Sequence, residues 1–178
     1  MLSFCLTGDG PTALLHRLQA DIEAARFSVA GEAVDIPVKL KVHESPFVPL
    51  AKWPMLITGN YRCVRATEMI PIQEAVHGDL ACSREIYEWV LALCCRLGAD
   101  RADLVPFDKY AQAAASLGKP SSAARALFGA AQHIERVDAL VRRIAAQLDL
   151  SNDHVQEIVG LVDARLSRNR MARERLAA

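Results

Sequence analysis

The 178-residue sequence is short of several things, and each shortage removes a class of function. Aromatic residues make up only 6% of it, too few for the stacking platforms that bind single-stranded nucleic acid. Neither charge sign is in excess, with Lys plus Arg at 21 and Asp plus Glu at 21, so no overall field draws the chain to nucleic acid or to an anionic membrane. No apolar run approaches the roughly 20 residues of a membrane span, and the opening MLSFCLTGDGPT lacks a basic leader. These absences predict a cytoplasmic protein with neither membrane nor nucleic acid as partner. Cys5, Cys63, Cys82, Cys94 and Cys95 are odd in number and never spaced C-x-x-C, which predicts reduced thiols. With the histidines scattered as well, no metal site is expected.

The chain is instead rich in Ala, Leu and Arg, and 52% of it is hydrophobic; that mixture predicts a mainly α fold. Residues 2–6 read as a strand running into the turn Thr7-Gly8-Asp9-Gly10-Pro11. A helix over 12–27 should bury Leu14, Leu15, Leu18, Ile22 and Ala25. Residues 34–42 alternate apolar and polar around Pro37, the pattern of a half-buried strand. The first 45 residues are thus expected to form a small β-α-β fragment. Three prolines around Trp53 mark the boundary to a helical domain over 46–168, followed by a basic, solvated tail over 169–178. Helices are expected near 54–66, 79–97, 106–117, 120–131, 134–148 and 152–168. Asp79 is the expected N-cap, and Gly98 the expected stop, of a central helix.

The stretch GKPSSAARAL at 118–127 carries the clearest chemical signal. Pro120 suits the first turn of a helix, and Ser121 or Ser122 can offer a hydroxyl either to free backbone amides or to a bound anion.

The order of the GDGPT turn at 8–12, the Trp53 junction, CCRLGAD at 94–100, KPSSAARAL at 119–127 and VDALVRRIAAQLDL at 137–150 resembles the second half of ketopantoate reductase (2-dehydropantoate 2-reductase). The resemblance implies a helical domain of the 6-phosphogluconate-dehydrogenase C-terminal type, preceded by the end of a truncated nucleotide-binding lobe. In that family the hydride comes from NADPH, but this sequence has no G-x-G-x-x-G after an N-terminal strand. The chain by itself is therefore expected to bind no cofactor.

Residue by residue, the family's lysine and asparagine fall on Met55 and Gly59, with Lys52 and Asn60 nearby; its serine falls on Ser122, or Ser121. The acid four residues further on is Ala126, and the glutamate falls on Arg136 beside Asp138. A keto-acid reductase needs a general acid at the developing alkoxide, and Met55 is none. The resemblance implies a substrate-binding and dimerisation domain that is inactive or partner-dependent. It holds a small carboxylate among Asn60, Lys119, Ser121, Ser122 and Arg136, and its partner is a second copy or a Rossmann-fold protein. The alternatives are an active oxidoreductase subunit completed by a separate Rossmann-fold chain, and a purely structural interaction module.

Overall fold

The computed structural model describes residues 9–29, 31–35, 38, 40, 42 and 47–177, and the chain divides into two compact units, Met1–Pro49 and Leu50–Ala178. Among the described residues it is mainly helical, with a single two-stranded sheet.

The first unit holds α1 (Asp9–Ala24) and an antiparallel hairpin of β1 (Arg26–Val29) and β2 (Glu32–Asp35). The strand expected over 2–6 lies outside the described residues. Of the strand expected over 34–42, residues 34 and 35 belong to β2, residues 38, 40 and 42 are not in a strand, and 36, 37, 39 and 41 lie outside the described residues. Arg26 pairs with Asp35 and Val29 with Glu32 across a turn in which Gly31 adopts φ 88°, a left-handed conformation that glycine takes without a Cβ clash. The sheltered face of α1 is also rotated from the expected one. Leu14 and Leu18 are exposed, and the half-buried positions are Thr12, Leu15, Gln19 and Ile22. The Gln19 side-chain carbonyl accepts the Val42 N–H at 2.7 Å, so this face carries the returning chain.

The second unit is built on α4 (Leu80–Arg96). Asp79 caps its start by accepting the Cys82 N–H at 2.9 Å. At its end the Gly98 N–H bonds to Cys95 O and the Ala99 N–H to Cys94 O, with Gly98 at φ 104°, which is the double hydrogen bond of a Schellman stop. Ile86, Tyr87, Val90, Leu91, Leu93 and Cys94 are fully buried along it. Around α4 pack the segment at 53–63, α3 (Ile72–His77) and α5 (Phe107–Ala114); α8 (Asp153–Ala177) packs on α6 (Ser122–Phe128) and α7 (Val137–Gln147). The segment at 53–63 is not one α-helix. A short α turn, α2 (Trp53–Met55), leads into a π turn (Leu56–Asn60) and a 3-10 turn (Tyr61–Cys63).

α8 continues well past the expected end near residue 168, and the reason lies in its side chains. Asn169 is buried, and its amide donates to Leu127 O and Ala131 O, both at 2.8 Å; the Ala130 N–H also bonds to Leu127 O, so the Ala131 carbonyl, beyond the end of α6, is the one that depends on Asn169. Arg165 lies over the Phe128 ring at 3.9 Å, and Arg168 and Arg170 donate to Ala66 O and Gln132 O. Asn169 and Arg170, at the start of the expected tail, are thus structural donors, and residues 170–176 are exposed. Asn169→Leu should cost about 1 to 2 kcal/mol in urea unfolding, because it takes the donor away from the Ala131 carbonyl and one of the donors away from Leu127 O; a change within a few tenths of the parent would show that this contact contributes nothing.

Candidate functional site: a cationic cleft at the start of α6

The loop between α5 and α6 forms the floor of the site, and backbone hydrogen bonds fix it in place. The Ile72 and Gln73 N–H groups at the start of α3 donate to Lys119 O at 3.1 Å and Leu117 O at 3.0 Å. The loop thereby fills the acceptor positions that a helix start leaves open. Next comes Ser121, buried, whose hydroxyl donates to Asn60 O at 2.7 Å and accepts the Ala124 N–H at 3.1 Å. That one hydroxyl caps α6 and staples it to the π turn.

Above this floor opens a cleft of about 560 Å³ lined by residues 116–122 together with Asn60, Ile72 and Arg125. Four of the five residues singled out in the sequence meet here: Asn60, Lys119, Ser121 and Ser122. Their roles differ. Ser121 has both its donor and its acceptor engaged, so it positions the cleft rather than contacting a ligand. Ser122 is exposed, and neither its hydroxyl nor the Asn60 side chain has a hydrogen-bond partner among the described residues. Lys119 and Arg125 are exposed cations without a carboxylate within 4.0 Å among the described residues, and no acidic residue lines the cleft.

Arg125 was not picked out from the sequence, although a signal exists. It sits three positions after Ser122, one turn on, so the two share a helix face. Ile72 was missed because α3 is only six residues long and shows no apolar period.

Arg136 lies elsewhere. Its guanidinium grips Asp138 with two hydrogen bonds, at 2.8 and 2.9 Å, and donates to Asp163 at 2.6 Å. Burial alone would lower its pKa, but the hydrogen bonds from the two carboxylates outweigh this and raise it. With both carboxylates satisfied, Arg136 is a clamp between the start of α7 and α8. Tyr61 closes the same corner. Its hydroxyl donates to Glu135 O at 2.7 Å and accepts the Val137 N–H at 3.0 Å, and burial pushes the phenol up to about 12. The α7 face turned inward is accordingly Val137, Asp138, Val141 and Ala145, while Leu140 is exposed.

Of the two positions where the resemblance places a lysine and an asparagine, only residue 59 has a structural explanation. The Met55 carbonyl accepts the Tyr110 hydroxyl at 3.2 Å. A Cβ on Gly59 would overlap that hydroxyl outright and come within 3.2 Å of Tyr110 Cζ and 3.3 Å of Ile72 Cγ2. Residue 59 therefore has no room for any side chain. Among the described residues there is no group of His, Cys, Asp and Glu side chains able to hold a metal ion, and no helix long and apolar enough to cross a membrane. No protein-family model, curated protein or solved structure matches the chain.

Proposed function

We propose that the second unit binds a small carboxylate in this cleft, as the substrate-binding domain of a ketopantoate-reductase-like protein without a nucleotide site of its own. The observation that carries the reading is the pairing of two uncompensated cations, Lys119 and Arg125, with the unengaged donors of Asn60 and Ser122 over an apolar floor of Ile72 and Leu117. Arg125 offers a planar fork to a carboxylate and Lys119 a mobile point charge. The amide and hydroxyl suit the neighbouring oxygens of a hydroxy or oxo acid.

The π turn supports the same assignment. The Tyr61 N–H bonds to Leu56 O, five residues back, so the turn carries one residue more than an α turn. An extra residue advances the side chains beyond it by about 100°, the shift that Asn60 needs to stand in for the residue that cannot fit at 59.

Binding is the limit of what this chain does alone. Met55 provides no proton where the resemblance would put the general acid, and the sequence holds no phosphate-cradling glycine motif. The corresponding fold proposal is a 6-phosphogluconate-dehydrogenase C-terminal-like domain. Its proposed setting is the cytoplasm, with which the free thiols of Cys63, Cys82, Cys94 and Cys95 agree.

A thermal-shift series tests the proposal. Millimolar 2-oxoisovalerate should raise the melting temperature and NADPH should not. Lys119→Gln or Arg125→Gln should each weaken the oxo acid by about tenfold, or 1.4 kcal/mol. Stabilisation by NADPH alone, or an oxo-acid response that survives both substitutions, would overturn it.

One observation favours the reading in which a second chain completes the protein. On the hairpin of the first unit, Phe27 pairs with Val34, and these two and Val29 are all exposed. Such a surface is usually covered by another chain, whether a second copy or a Rossmann-fold partner. Light scattering of the full chain should report a mass above 19.5 kDa, and a monomer at micromolar concentration would argue against self-association.

A further inference from the structure

A second concavity, of about 210 Å³, lies where Arg62 and Arg65 face the first turns of α4 and α8. Arg62 is half-buried, and desolvation pushes its pKa down, the direction expected of a charge short of compensation. Its contacts are neutral: Ser83 Oγ at 2.6 Å and Cys82 Sγ at 3.7 Å. Ser83 Oγ in turn donates to Val76 O at 2.7 Å, which leaves it only as an acceptor toward the guanidinium. No carboxylate oxygen among the described residues lies within 4.0 Å of Arg62. Arg136 shows what compensation looks like in the same unit, being half-buried and gripped by two aspartates.

Around Arg62 the pocket presents Arg65, His154 and one acid, Glu157. Arg65 is exposed and His154 is partly so, which places both at the mouth. Asp79 and Glu157 are close enough to favour the charge on Arg62, but neither makes an ion pair with it. Among the lining residues two guanidiniums face one carboxylate, with the half-buried Arg62 at the base, while Glu85, outside the lining, stands 4.0 Å from His154 Nε2. A carboxylate would satisfy one guanidinium fork. Donors arriving from Arg62, Arg65 and His154, on two separate elements, suit an ion with three or four oxygens.

We propose that this pocket is an anion site distinct from the α6 cleft, which takes a small oxyanion of the phosphate class onto Arg62, with Arg65 and His154 closing over it. The same chemistry serves a free phosphate ion or the head of a small phosphate monoester.

Cys82 lines this pocket and is partly accessible, so it reports occupancy. With the full chain, iodoacetamide labelling of Cys82 is followed by peptide mass spectrometry against inorganic phosphate, methyl phosphate and acetate, with Cys95 as the internal control. Inorganic phosphate should slow labelling at Cys82 saturably and leave Cys95 unchanged. Arg62→Gln and Arg65→Gln should each raise the half-protecting concentration by about tenfold, and Lys119→Gln should not move it. Arg65 is at the surface, so its variant keeps the test decisive if Arg62→Gln folds poorly. Tighter protection by methyl phosphate would identify a monoester head as the ligand, and weaker protection the free ion. The proposal is overturned if phosphate to about 100 mM, a hundredfold above a millimolar dissociation constant, leaves the Cys82 rate unchanged. It is equally overturned if acetate protects as well as phosphate, or if protection is indifferent to both arginine variants.

Discussion

Replacing Gly59 with alanine should cost about 2 to 4 kcal/mol of stability, measured by urea unfolding. The new methyl group would occupy the place of the Tyr110 hydroxyl. That hydroxyl cannot easily move, because its ring is buried and stacked on Tyr87 with centroids 5.3 Å apart. Overpacking of this kind costs about 1 to 3 kcal/mol, and losing the Tyr110 bond to Met55 O adds about 1 kcal/mol. In a Tyr110→Phe background, part of the penalty should disappear, since the most severe overlap is with the hydroxyl; Cζ and Ile72 still crowd the site. A cost below about 0.5 kcal/mol would mean that the helix can refit around a side chain at 59, and with it the stated reason for a glycine there would fail. The substitution should also weaken oxo-acid binding, because Asn60 and the Ser121 staple both hang on this turn.

Arg136→Met should destabilise by about 3 to 5 kcal/mol, the usual cost of stranding one partner of a buried ion pair. Asp138 has 0% of its side chain exposed while Arg136 retains 22%, so the guanidinium leaves behind a carboxylate with no route to water. Replacing both residues in Arg136→Met/Asp138→Leu should recover most of the loss, because a buried pair exchanged for apolar groups of similar volume is nearly neutral. A double-mutant cycle with a coupling under about 0.5 kcal/mol would show that the clamp is not what holds α7. In the folded fraction of either variant, affinity at the α6 cleft should stay at the parent value. That outcome separates Arg136 from the site to which sequence position alone had joined it.

What could be read from the sequence was what is encoded locally. Asp79, Gly98 and the apolar positions between them define α4 because capping and helical periodicity act within a few residues. Lys119, Ser121 and Ser122 could be grouped because they are neighbours in the chain. Most of the misreadings involve partners far apart in sequence. Arg136 looked like a ligand contact because Asp163, 27 residues on, is invisible to any local pattern. Residues 170–176 are exposed as the basic tail implied, but buried Asn169 at its start was not legible, because the Leu127 and Ala131 carbonyls it bonds lie about 40 residues back. In α1 the sheltered face is set by the returning chain at Val42, so the apolar count favoured Leu14 and Leu18, which are exposed. The π turn has no compositional mark at all, and the Tyr110 hydroxyl that excludes a side chain from residue 59 within it is 51 residues away by number.

Calorimetric titration of the full chain with 2-oxoisovalerate, compared with the Lys119→Gln/Arg125→Gln double variant, is the most direct measure of whether the cleft holds a carboxylate. Saturable one-site binding to the parent chain, lost in a double variant that melts at the parent temperature, is the expected result. No binding heat from any small oxo or hydroxy acid, or equal affinity in parent and variant, would contradict the assignment of the cleft.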